Sequence, residues 1–177
     1  MAMKKYLLLA LSALLLSSAT FAQQSSDRKL PFVVEADAAT YTDITQTSVF
    51  TGRVILTQGT TRIDADRVET IVDPEGYQYA TATMNGGGLV QYQQKREGTN
   101  EIIKAQGQQL VYDGQQNLVV LSKKAQMRRL TPSGQLIDKI DGDELVYNQL
   151  TEVFESRVVP GVAGRTRVII TPNSQTK

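Results

Sequence analysis

The sequence predicts an all-β protein of about a dozen or more strands, and three observations carry that expectation. From Leu30 onward, apolar and polar residues alternate with a period of two. Clusters of Gly, Pro, Asn and Asp interrupt the alternation at short intervals. A short pattern with a small residue near its centre also recurs along the chain, as expected of strand units that cannot bury an apolar face alone.

The chain opens MAMKKYLLLALSALLLSSATFAQQ. Lys4 and Lys5 precede an apolar stretch, Tyr6 to Leu16, and Thr20-Phe21-Ala22 follows as a small-x-small cleavage site. This is the layout of a signal peptide, expected to occupy residues 1–22 and to be cut after Ala22. The apolar run is shorter than the roughly 20 residues that span a bilayer. Residues 23–29 read as a disordered lead-in, 30–172 as one domain, and 173–177 as a short polar tail. Removing Lys4 and Lys5 lowers the 19 basic residues to 17, against 18 acidic ones, for a net charge of −1. A near-neutral surface is not that of a nucleic-acid binder.

The strand candidates in order are PFVVEAD, SVFTGRVILTQ, LVQYQQ, NLVVLSKKAQM, ELVYN and RTRVIITP, rich in Val, Ile, Thr, Phe and Tyr. Turns fall at Asp73–Gly76, Asn85–Gly88, Glu97–Asn100, Asp113-Gly114, Thr131–Gly134 and Val159–Gly161. The repeat occurs at Val34–Tyr41, Ile63–Thr70, Ala105–Tyr112 and Ile140–Tyr147, with Ala36, Ala65, Gly107 and Gly142 as the small residue. The correspondence continues from Phe50, Val54 and Leu56 to Leu121, Ala125 and Met127.

The chain has no cysteine and no histidine. Disulfides, Cys nucleophiles, histidine-based acid–base chemistry and nearly every zinc site are therefore excluded. Asp64 and Asp66 invite a metal or acid–base reading, but the copy at Gly107 has Gln106 and Gln108 in their places. The pattern keeps alternation and lets charge vary, so the aspartates read as a solvated face that discourages stray strand pairing. A secreted glycosidase would need two acids facing a cleft, whereas the acids fall on the outward parity. An outer-membrane barrel would need an outward apolar band, where this chain has Arg53, Asp64, Gln91 and Lys124. No cofactor or metal is expected.

The stretch Phe50–Gly59 (FTGRVILTQG), followed by Ile63-Asp-Ala-Asp-Arg-Val68, resembles the LptA/OstA family of lipopolysaccharide export proteins. The likeness continues through Leu118–Leu121, Gly142–Tyr147 and Arg167–Pro172. It implies an open, twisted, antiparallel β-jellyroll in the periplasm whose interior shields lipid A acyl chains. It also implies an LptC-like inner-membrane-anchored partner and an LptD-like outer-membrane protein whose periplasmic domain is the other partner. Separately, open edges that join head to tail would let copies of the chain stack. Counting by twos, Phe32, Val34, Phe50, Val54, Leu56, Ile63, Leu110, Tyr112, Leu121 and Met127 are the expected groove residues. Val90 and Tyr92 join them if their parity, rather than that of residues 89 and 91, faces inward. The expected docking edges are Phe32, Val33 and Val34 at the start and Arg167, Val168, Ile169 and Ile170 at the end. Proline at Ile169 is expected to remove an edge donor. The alternative is a scaffold with a dry core that binds envelope partners through its edges and carries no lipid.

Overall fold

The computed structural model describes Asp27 and residues 30–96, 98–159, 161 and 164–172. The expected signal peptide, nearly all of the lead-in and the polar tail lie outside the described residues. The strands are β1 (Val33–Glu35), β2 (Ala38–Thr42), β3 (Thr47–Gln58), β4 (Thr61–Val72), β5 (Gln78–Thr83), β6 (Val90–Lys95), β7 (Ile102–Gly107), β8 (Gln109–Asp113), β9 (Leu118–Leu130), β10 (Leu136–Asn148), β11 (Val153–Arg157) and β12 (Arg167–Ile170). All pairings among them are antiparallel. Asn85–Gly87 forms a single 3₁₀ turn between β5 and β6.

Four long strands organise the molecule, because each changes partners halfway along. The first half of β3 pairs with β2 and its second half with β1. β4 passes from β6 to β5, β9 from β8 to β7, and β10 from β12 to β11. One layer therefore runs β2-β3-β4-β5-β8-β9-β10-β11 and the other β1-β3-β4-β6-β7-β9-β10-β12, with β3, β4, β9 and β10 shared as a bent spine.

The bends are β-bulges at equivalent places in the repeat. Gly52 and Arg53 on β3 oppose the single residue Asp66, and Lys123 and Lys124 on β9 oppose Asp143. All four bulge residues have positive φ, at 79° and 45° in β3 and at 60° and 59° in β9. Two consecutive left-handed residues sharpen the local twist and turn the strand out of its first layer. Glycine adopts this conformation freely at position 52. Arg53 is held by Asp37, whose carboxylate accepts from its guanidinium at 3.1 and 2.5 Å. That hydrogen bond keeps the Asp37 carboxyl below its usual range.

The small repeat residues sit against this spine. A Cβ on Gly107 would lie 3.1 Å from the Ser122 carbonyl oxygen, and one on Gly142 would lie 2.8 Å from Ser156 Oγ. The aspartates that resembled a site serve the fold. Asp64 pairs with Arg62, and Asp66 Oδ2 accepts the Asn85 N–H at 2.8 Å, anchoring the 3₁₀ turn. Their expected role against stray pairing does not apply, because β4 is an interior strand of both layers and exposes no edge.

Candidate functional site: an apolar interior with two open ends

The inner faces of the two layers enclose one continuous apolar cluster. Val54, Leu56, Ile63, Val90, Tyr92, Leu110, Leu121 and Met127 are buried in it, and Phe32, Val34, Phe50 and Tyr112 pack against it at its rim. The parity of β6 is thereby settled: Val90 and Tyr92 face in, while Gln91 is exposed. Period-two counting did not single out Val68, Ile103, Val119, Leu145 or Tyr147, which also belong to the cluster. Tyr147 stacks on Phe154 with ring centroids 4.1 Å apart.

The interior is packed along most of its length. Between Tyr92, Ile103, Leu121, Met127 and Phe154 only about 10 Å³ remains open. The larger space is at the β1 end, where Phe32, Phe50, Leu56, Ile71, Tyr79 and Tyr112 surround a mouth of about 190 Å³. That is below the roughly 300–1,000 Å³ of a small-molecule pocket. A long acyl chain therefore fits only if the layers part.

Opposite the spine, the hairpin tips of the two layers meet along a seam, and specific contacts cross it. Phe32 meets Tyr112 edge to face at 5.9 Å. Gln149 Nε2, on the β10–β11 turn, donates to the Tyr92 hydroxyl at 3.4 Å. Arg96, just after β6, reaches Glu152 on that same turn at 2.5 Å. Behind this pair, Arg96 also meets Glu101, and Arg129 joins Glu101 to Asp138. Glu152 and then Glu101 hold the Arg96 guanidinium above its usual range. Burial pushes the Tyr92 hydroxyl well above the ordinary phenol value, against hydrogen bonds from Gln149 and Thr61.

The interior also contains polar side chains: Gln58, Thr61 and Gln94 are buried. The alternation contained a signal for each. Counting on from Val54 and Leu56 reaches Gln58, back from Ile63 reaches Thr61, and on from Tyr92 reaches Gln94. The cross-seam partners Arg96, Gln149 and Glu152 lie in turns, where period-two counting has no reach.

β1 pairs only with β3, and β12 only with β10, so each end of the second layer is an edge among the described residues. The direction of the β12 donors corrects one expectation. Thr171 N donates to Ile137 O at 2.9 Å, and β12 then runs in register with Lys139 opposite Ile169 and Asp141 opposite Arg167. Alternate residues of a strand point their N–H groups to the same side. The N–H groups of Ile169 and Arg167 therefore face β10, while those of Val168 and Ile170 face outward. Proline at Ile169 would break the bond to β10 and leave the free edge its donors.

The fold is an edge-open antiparallel β-jellyroll around an apolar interior, and sequence and structural comparison place it among lipopolysaccharide transport proteins. Residues 33–153 match the LptA/(LptD N-terminal domain) LPS transport protein family. The chain belongs to this family. It is 30% identical over 150 residues to the lipopolysaccharide export system protein LptH of Pseudomonas aeruginosa, covering 85% of this chain and 81% of that one. It is 28% identical over 141 residues to LptA of Escherichia coli K12, covering 80% and 71%. The crystal structure of LptH, described as the LptA homologous periplasmic component of the lipopolysaccharide transport device, superposes with a TM-score of 0.73. That match has 27% identity and covers 83% of this chain and 99% of LptH.

Proposed function

We propose that the protein is a periplasmic carrier, not an enzyme, that shields the acyl chains of lipopolysaccharide and forms part of a bridge between inner-membrane and outer-membrane components. The single observation that carries this reading is an apolar interior between two layers whose end strands, β1 and β2 at one end and β11 and β12 at the other, pair on one side only among the described residues. Each methylene withdrawn from water contributes about 0.8 kcal/mol, so an acyl chain of about 12 carbons would cost roughly 10 kcal/mol to expose. A lipid with several such chains needs continuous cover. An LptC-like protein at one end and the periplasmic domain of an LptD-like protein at the other fit the two edges, as does a second copy of this chain.

The internal repeat supports a register for such joints. β6 lies on β4 with Arg62 opposite Gln93 and Ile63 opposite Tyr92; β12 lies on β10 with Lys139 opposite Ile169 and Ile140 opposite Val168. β12 is thus the second-repeat counterpart of β6. Within the chain, β6 is completed by β7, with Tyr92 opposite Ala105 and Gln94 opposite Ile103. The first-repeat counterpart of β7 is β1. Carried to a junction, this pairing sets Val168 of one copy against Val34 of the next, Ile170 against Phe32, and Arg167 against Glu35. The apolar pairs continue the groove, and the outer pair is of opposite charge.

The test is mass spectrometry of lipid that copurifies from a Gram-negative host, with photo-crosslinkers placed at Val34, Leu56 or Tyr112. Lipopolysaccharide adducts are expected at these positions and not at Arg53 or Asp66. Equal labelling of both sets would remove the groove reading and favour a scaffold.

A further inference from the structure

At the seam, the apolar interior contains a polar cluster that hydrocarbon alone does not use. Tyr92, buried on β6, donates from its hydroxyl to Gln94 Oε1 at 2.7 Å and accepts from Gln149 Nε2. Thr61 lies beside it. A residual cavity of about 20 Å³ is bounded by Gln58, Thr61, Tyr92 and Gln149 on its polar side and by Leu56, Ile63 and Val119 among its apolar residues. Gln149 Oε1 is buried and has no hydrogen-bond partner among the described residues. Turning the amide over only exchanges which end lacks a partner.

We propose that Gln149, with Tyr92 and Thr61 beside it, is a subsite that takes a hydroxyl carried near the root of an acyl chain, so that the groove prefers β-hydroxyacyl lipids to lipids with plain chains. The inference rests on the acyl-chain reading above and specifies which chains that groove selects. A hydroxyl both donates and accepts, so it matches an amide end of either orientation. Placed in a wholly apolar groove, the same hydroxyl would lose its water without replacement and be disfavoured against a plain chain. The position fits the opening of the seam as well. The Gln149–Tyr92 bond joins the two layers, and parting them for a lipid breaks it. A hydroxyl entering there restores a partner to both side chains.

The experiment measures displacement of a fluorescent fatty acid from the full chain by two probes, N-(β-hydroxytetradecanoyl)glucosamine and N-tetradecanoylglucosamine. The hydroxylated probe is expected to bind about fivefold to tenfold more tightly, the weight of one net hydrogen bond. Gln149→Met keeps the length of the side chain and removes its hydrogen bonding. It should abolish or reverse the preference, read as the ratio of the two probes' affinities within that variant. Thr61→Val, which keeps shape, serves as the second variant and should reduce the preference. Equal binding of both probes to the parent protein overturns the subsite but leaves the groove intact. A preference that survives in both folded variants overturns it too. If neither probe displaces the fatty acid, the groove reading itself fails, and the subsite with it.

Discussion

Proline at Val168 gives a sharp test of the proposed junction at β12. Val168 and Ile170 are 53% and 76% exposed, although both lie at positions whose first-repeat counterparts, Tyr92 and Gln94, are buried. Their N–H groups point away from β10, so Val168→Pro removes an outward donor and leaves the bonds to Lys139 and Asp141 in place. A neighbouring strand would then meet a missing donor, an unsatisfied carbonyl of its own and the bulk of the ring. Leaving one such group unpaired costs about 1–3 kcal/mol, which is roughly fivefold to 150-fold in affinity. Sedimentation velocity or a docking titration should show this loss. The thermal transition should stay near that of the parent, because β12 remains attached. Ile169→Pro is the control: it breaks pairing with β10, so a displaced β12 and a lower melting temperature are expected. If a folded Val168→Pro protein associates as well as the parent, β12 is not the junction.

Three further outcomes follow from particular contacts. Residues directly opposite in a hydrogen-bonded antiparallel pair have Cα atoms about 5.5 Å apart, within the 4.4–6.8 Å range of a disulfide. Mixing Val168→Cys with Val34→Cys in this cysteine-free chain should therefore give a reducible dimer on a gel, and Val168→Cys with Phe32→Cys should give far less. Leu110→Ala, at a fully buried position where the layers face each other, should destabilise the fold by about 2–5 kcal/mol in guanidinium titration. Tyr92 has a raised hydroxyl pKa, so its contribution is complete below the free phenol value of about 10 and is lost as pH rises above it. Between about pH 9 and 11 the parent should lose melting temperature more steeply than Tyr92→Phe, and equal slopes would refute the assignment.

Alternation made the fold class and the inner face legible, because a strand must put every second residue on the same side. Phe50, Val54, Leu56 and Ile63 follow from parity alone. So does the repeat, whose small residues Gly107 and Gly142 mark where one layer bends into the other. The bend itself was hidden. Lys123 and Lys124 carry no sequence sign of left-handed backbone, and only their alignment with Gly52 and Arg53 hints at it. The role of Asp66 was also hidden, because its partner is a backbone N–H that the tertiary fold brings to it. Direction at an edge has the same character. Whether Ile169 or Val168 offers a free donor depends on which neighbour β12 has, and composition does not encode that. The seam contacts Arg96–Glu152 and Gln149–Tyr92 join turns distant in sequence, where neither periodicity nor motif applies.

The repeat also bears on why the ends are open. Inside the chain, the first repeat has its groove continued by the second through β6 and β7, which buries Val90 and Tyr92 completely or nearly so. In the second repeat the equivalent strand, β12, has no such partner among the described residues, and Val168 and Ile170 are exposed. An isolated apolar edge of this kind is an aggregation hazard, which proteins blunt with charge, proline or a covering segment. On β12 only Arg167 guards the strand before Pro172 closes it. The opposite end has the complementary fragment, β1, with Glu35 in the position that faces Arg167 when the internal pairing is carried across. Among the described residues nothing pairs with the outer side of β1 or β12, and the internal seam shows how such strands pair. The geometry of two joined repeats within one molecule is therefore the geometry the proposed bridge would repeat between molecules, with the same kind of apolar surface on both sides of the joint.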